Sequence, residues 1–243
     1  MELLNKILCS SKTTEVDTVS GRIIAKYSKD DWSFDTHLTM LFDLLIPVSQ
    51  RLTTAINRSS AESNLEEKDE LRDNKVRAIH YLILGLMHHP EEVVRAAAGK
   101  VNGVFEKYGL NIINESYSSE SSLIESLLED FSAHELQADI TQTSGLNPLI
   151  SQLRTAQTEF EAAQVLYEES KAKDGTHESA TAVKKEILSV INDKLVVYLR
   201  AIYQVNEEKY GEFVRTIAQI IDDNNVTVKK RLKNKNSEPV TED

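Results

Sequence analysis

The sequence predicts an all-α fold, with about seven amphipathic helices packed as a bundle. Three observations carry this. Glycine (8) and proline (4) are scarce in 243 residues, whereas an all-β chain needs many more turns. From Ser33 onward, apolar residues recur three and four positions apart, the period of one helical face. The apolar and charged shares, 40% and 28%, give each helix one stripe to bury and one face for water.

The first 32 residues lack this period and are read as irregular. Leu3, Leu4, Ile7 and Leu8 suffice for an amphipathic turn or two. Val16–Tyr27 carries β-branched residues around Gly21, which leaves extended chain open. The first helix bears Leu38, Leu41, Phe42, Leu45, Leu52 and Ile56 on one stripe. Pro47 removes a backbone donor and is expected to kink or split it near Asp43–Ile46. Ser59–Asn64 is expected as a polar linker. A second helix, about Leu65 to His88, carries Val76, Ile79, Leu82, Ile83 and Leu86. Pro90 ends it and suits the first turn of a third helix, with Glu91 and Glu92 at that helix's positive end.

The third helix carries Val94, Ala97, Ala98, Val101, Val104 and Phe105, with Gly109 as its C-cap. Ser118 or Ser119 can cap a fourth, bearing Leu123, Ile124, Leu127, Leu128 and Phe131. Gly145–Pro148 breaks the chain before a fifth helix with Leu149, Leu153, Ala156, Phe160, Ala163 and Tyr167. A turn at Lys173–Thr176 leads to a sixth with Val183, Ile187, Val190, Ile191, Leu195, Tyr198 and Ile202. The seventh starts near Glu207 with Tyr210, Phe213, Val214, Ile217, Ile220 and Ile221. Gly85, Gly99 and Gly103 are expected to let helices approach closely, and Trp32 and Phe34 to plug the core.

Pro90 and Asn206 stand 116 positions apart, and at that shift the flanking stripes match apolar to apolar. The expectation is an internal repeat. Two related three-helix units, 33–110 and 146–225, would be joined by a linking helix at 118–140, within a bundle domain spanning 33–225. Residues 226–243 are expected as a disordered tail.

Several segments resemble an uncharacterised all-helical family, a domain of unknown function of about this length typical of Bacteroidetes bacteria. They are Arg72-Asp73 opening a long helix, the break at His89-Pro90, Arg95–Ala98, Val104–Gly109 and the run Tyr117–Ile124. Tyr27–Thr36 resembles the entry segment before that family's first helix. The resemblance covers most of the chain. It implies a bacterial cytoplasmic protein and supplies no catalytic residues.

A net charge of −11 disfavours binding to phosphate backbones and anionic lipids. The exception is the basic cluster Lys229, Lys230, Arg231, Lys233 and Lys235, the one nucleic-acid candidate. Cys9 is the only cysteine, so no intrachain disulfide can form. No stretch approaches the roughly 18 apolar residues of a membrane span, and a cytoplasmic location is expected.

The densest ionisable cluster is Asp69, Glu70, Arg72, Asp73, Arg77 and His80. Asp73 and Arg77, four apart, fit a surface ion pair. The same residues, Asp69, Asp73, Arg77 and His80, could instead form a ligand site inside the bundle. No Glu-x-x-His repeat of the di-metal bundles occurs, so no metal or cofactor is expected. His88 and His89 fit the negative end of a helix. His134 pairs locally with Asp130, and His37 and His177 sit near helix starts. No nucleophile elbow or phosphate loop is present, so no catalytic residue is assigned. Two functions remain: a non-enzymatic interaction or structural protein that binds a protein partner or itself, and a small-molecule or metal-binding bundle around Asp73 and His80.

Overall fold

A computed structural model describes residues 4–174 and 178–237, and the chain is all-α, with no strand among the described residues. The helices are α1 (Thr13–Tyr27), α2 (Thr36–Leu86), α3 (Glu92–Phe105), α4 (Tyr117–Ser132), α5 (Gln137–Gln142), α6 (Leu146–Asp174), α7 (Ala180–Ser189), α8 (Val196–Val205) and α9 (Glu207–Ser237). A π-helical segment, Val190–Leu195, joins α7 to α8. Among the described residues no helix is long and apolar enough to cross a membrane.

The chain divides into two compact units, residues 1–59 with 170–243, and residues 60–169. These cut across the expected halves 33–110 and 146–225, and the expected linker 118–140 lies wholly inside the second unit. The helix order also differs between the halves. Residues 36–86 form one helix, whereas α6 ends at Asp174 and α7 begins at Ala180. Ser59–Asn64 is helical because nothing in it stops a helix: it holds no glycine or proline. Pro47 does not split α2 either. Both Pro47 and Asp43 are exposed, so the Asp43 carbonyl that loses its donor can turn to water.

In the first unit, the core draws on α1, the start of α2, α7, the π segment, α8 and α9. α1 replaces the irregular chain expected there. Val16, Val19, Ser20 and Ile23 are buried at helical spacing, and Ser20 Oγ meets Ser49 Oγ of α2 at 2.8 Å. Trp32 is buried as expected, whereas Phe34 is 49% exposed, with the Lys209 ammonium over its ring. Asp35 caps α2 by accepting the Leu38 N–H at 2.9 Å. Its other oxygen accepts the Tyr198 and Tyr210 hydroxyls, each at 2.7 Å.

Residues 4–11 are non-helical and docked, with Leu4, Ile7 and Ser11 buried. Buried backbone needs partners, and side chains supply them here. The Asn192 amide accepts the Ile7 N–H at 2.8 Å and donates to the Ile7 carbonyl at 2.9 Å. Asn225 accepts from Leu8 N–H at 3.1 Å and donates to the Lys6 carbonyl at 2.8 Å. Arg200 Nε donates to the Leu4 carbonyl at 2.8 Å, and Arg231 Nη2 to that of Ser10 at 2.9 Å.

The π segment makes this possible. Val183, Ile187, Ile191, Leu195 and Leu199 are buried and follow in steps of four. On an ordinary helix those steps would rotate the stripe by about 160°. The wider π turn keeps them on one core and leaves Asn192 buried beside them.

The expected disordered tail begins too early, because α9 continues through Ser237. Val228 is fully buried, and Arg231 pairs with Glu15 of α1, so tertiary contacts extend the helix. Residues 238–243 lie outside the described residues.

In the second unit, the core gathers α2 from Val76 to Ile83 with α3, α4, α5 and the start of α6. Ser116, rather than Ser118 or Ser119, caps α4, accepting the Ser119 N–H. The third helix ends at Phe105 with Glu106 as its C-cap, and Gly109, expected in that place, instead precedes the 3-10 turn Leu110–Asn114 at φ 70°, a left-handed conformation that favours glycine. A Cβ placed at Gly85, Gly99 or Gly103 would meet nothing within 4 Å, so close helix approach does not explain these glycines.

Asn192→Leu would orphan the Ile7 N–H and carbonyl, at about 1–3 kcal/mol for each buried group. We expect a lower urea midpoint and faster hydrogen exchange at the Ile7 amide. An unchanged midpoint would show that the segment contributes no stability.

Candidate functional site

Three buried polar side chains interrupt the apolar stripes of the second unit. Arg72 of α2 is 0% exposed, Glu120 of α4 is 1% and Gln157 of α6 is 1%. Each sits where the helical period calls for an apolar residue. Arg72 lies four before Val76, Glu120 four before Ile124, and Gln157 between Leu153 and Phe160.

The Arg72 guanidinium joins them. Its Nη2 lies 2.6 Å from Glu120 Oε2 and 2.8 Å from Asp69 Oδ1. Its Nη1 donates to Ser121 Oγ at 2.9 Å and to Gln157 Oε1 at 3.1 Å. The guanidinium carbon stands 3.7 Å from the centre of the Phe160 ring. A buried charge needs both counter-charge and hydrogen bonds, and Arg72 finds them on three helices. Gln157 passes the network on, donating to Glu161 at 2.8 Å.

Asp73 borders the centre. Its Oδ2 accepts from Arg77 Nη2 at 2.9 Å, the local pair that the spacing predicts. Asp73 and Glu120 place an oxygen each within 4.8 Å of one another. Asp73 Oδ1 and Glu120 Oε1 are nonetheless buried with no donor directed at them. Burial pushes the Glu120 carboxyl up to about 8; Arg72 opposes this, and the Asp73 and Asp69 charges add to it. Asp69 is raised as well, again chiefly by burial, against the pull of Arg72.

One oxygen from each of Asp69, Asp73 and Glu120 falls within 4.8 Å of the others, a spacing at which carboxylates can share a cation. The cation already between Asp69 and Glu120 is the Arg72 guanidinium, one nitrogen of which bonds both.

Of the four residues singled out in the sequence, the structure gathers Asp69 and Asp73 at this centre. Arg77 touches it only through Asp73, with 39% of its side chain exposed. His80 stands apart, seven residues and about 10 Å along α2 from Asp73. Its ring stacks on Phe105 at 5.2 Å, and its Nδ1 is buried without a partner. The sequence reading missed Glu120 and Gln157. The other histidines are dispersed. His89 Nδ1 accepts the Glu91 N–H at 3.2 Å, and the His37 ring lies 4.6 Å from that of Tyr198. Asp130, expected to pair with His134, is held by Lys107 at 2.9 Å and Tyr108 at 3.0 Å. His177 lies outside the described residues.

A family model described as a family of unknown function (DUF6261) matches residues 62–220. The match covers more than half of the chain, and the chain belongs to this family. Comparison with curated proteins and with solved structures found no match.

Arg72→Met would leave the buried Glu120 and the half-buried Asp69 without their shared cation. We expect it to cost about 3–5 kcal/mol in urea denaturation. Arg77→Met, which removes a 39% exposed guanidinium from the outer oxygen of Asp73, should cost less. Equal effects would contradict the central place given to Arg72.

Proposed function

We propose that this member of a family of unknown function is a cytoplasmic, non-enzymatic protein-interaction module. The supporting observation is a pair of large apolar side chains on one exposed face of α2. Met40 is 49% exposed and Leu44, one turn on, is 43% exposed. Two such residues at helical spacing form a contact strip that an amphipathic helix of another protein can cover. Exposed His37 and Pro47 extend the same strip, and Asp43 lies at its edge.

Charge selects the partner. A chain of net charge −11 repels a second copy of itself and any nucleic acid. A partner helix with an apolar face and basic flanks suits both the strip and the field. The competing reading, a small-molecule or metal site at Asp73 and His80, is weakened because those two side chains are two turns apart. Arg72 also already neutralises Asp69 and Glu120.

The experiment is affinity purification from the native cell, run in parallel with the Met40→Glu, Leu44→Glu double variant, with metal analysis of the eluate. A basic protein retained by the wild type and lost from the variant is the expected result. Equal retention by both forms would overturn the reading. So would a stoichiometric metal that disappears in Asp73→Asn.

A further inference from the structure

Asp73 Oδ1 and Glu120 Oε1 need an explanation. Two carboxyl groups that place an oxygen each within 4.8 Å of one another, and that each keep a buried oxygen without a donor, repel unless something positive lies between them. We propose that a single proton, carried on Glu120 Oε1 and donated to Asp73 Oδ1, bridges α2 and α4 and acts as a pH-sensitive latch on the second unit.

Charge balance supports a proton here. Asp69, Asp73 and Glu120 face Arg72, while Arg77 holds the outer oxygen of Asp73. With Glu120 neutral, two carboxylates meet two guanidiniums and the centre carries no net charge. With Glu120 ionised, one negative charge is left over in the interior. A divalent ion in its place would leave an excess positive charge instead. The remaining groups facing the centre are polar or distant in charge. From α4 come the Tyr117 phenol, which burial and Asp69 push up, and the Ser121 hydroxyl. From α6 come Gln157 and, behind it, the Glu161 carboxylate, which takes the Gln157 amide.

The proton also serves both unpartnered carboxyl oxygens, leaving only Arg72 Nε without a partner at the centre. Glu120 Oε2 and Asp73 Oδ2 already accept from Arg72 and Arg77, so one O–H between the two inner oxygens satisfies both. Loss of that proton breaks the bond and adds a third anion beside Asp69 and Asp73.

The direction of the pH effect follows. The carboxyl holds its proton to about 8 when folded and to the ordinary 4.5 when unfolded. Between those values the folded state binds more protons. The stabilisation is therefore complete below the unfolded value and is lost as pH rises through the folded one.

The test uses the full chain and Glu120→Gln, whose amide can donate to Asp73 and accept from Arg72 at any pH. Infrared spectroscopy at neutral pH should show a protonated carboxylic-acid carbonyl band in the wild type that is missing from Glu120→Gln. Urea denaturation should show the wild-type folding constant falling, relative to the variant, by more than about tenfold between about pH 5 and about pH 9. If Glu120→Gln does not fold, Asp73→Asn serves. It removes the neighbouring charge, and the acid band should then vanish at lower pH than in the wild type. Absence of the band from the wild type, or parallel pH profiles, overturns the proposal. So does stabilisation by calcium or manganese chloride at neutral pH in the wild type alone, which would put a metal ion where the proton is placed.

Discussion

Burying one guanidinium fixes most of what is specific about residues 60–169. An ionised arginine in an apolar interior is tolerable only if its charge is met and its donors are used. Arg72 has its charge met and both terminal nitrogens engaged by side chains from three helices, with only Nε left without an acceptor: Asp69 beside it on α2, Glu120 and Ser121 on α4, and Gln157 on α6. The face of Phe160 covers the remaining side of the cation. Apolar stripes alone permit several rotations of one helix on another. A charge that must be met at given distances permits far fewer, so the centre selects one packing of α2, α4 and α6.

Much of this was legible in the sequence. The stripes gave the helices, and the breaks at Pro90 and Gly145 fall where the structure places them. The ionisable cluster on α2 contains Asp69 and Asp73, which the structure gathers beside Arg72. Its partners were harder to see because they lie 47 to 85 positions away from Arg72 or its neighbours, on other helices. The signal that could have found them is an interruption. Arg72, Glu120 and Gln157 each occupy a core position of an otherwise apolar stripe, and three such interruptions in one unit must meet one another or go unpaired.

What failed to show in the sequence failed for physical reasons. A polar run such as Ser59–Asn64 reads as a linker by composition, yet no residue in it ends a helix. The docked segment 4–11 has no secondary structure of its own, so its order depends on asparagine side chains 185 and 217 positions away. The π segment is equally silent locally. Only the uninterrupted step of four from Val183 to Leu199 hints that an ordinary helix would carry the stripe out of the core.

The order of the two units along the chain has a consequence for biosynthesis. Residues 60–169 form one continuous stretch, nested between the two parts of the other unit. A ribosome finishes this inner stretch while the outer unit still lacks its second half. Residues 4–11 leave the tunnel long before Asn192, Arg200, Asn225 and Arg231, which hold their backbone and follow 185 to 221 positions later. The inner unit can therefore close during translation. Residues 4–11, with Leu4 and Ile7 uncovered, must wait until those side chains are made, which is the interval in which a nascent-chain chaperone has most to protect.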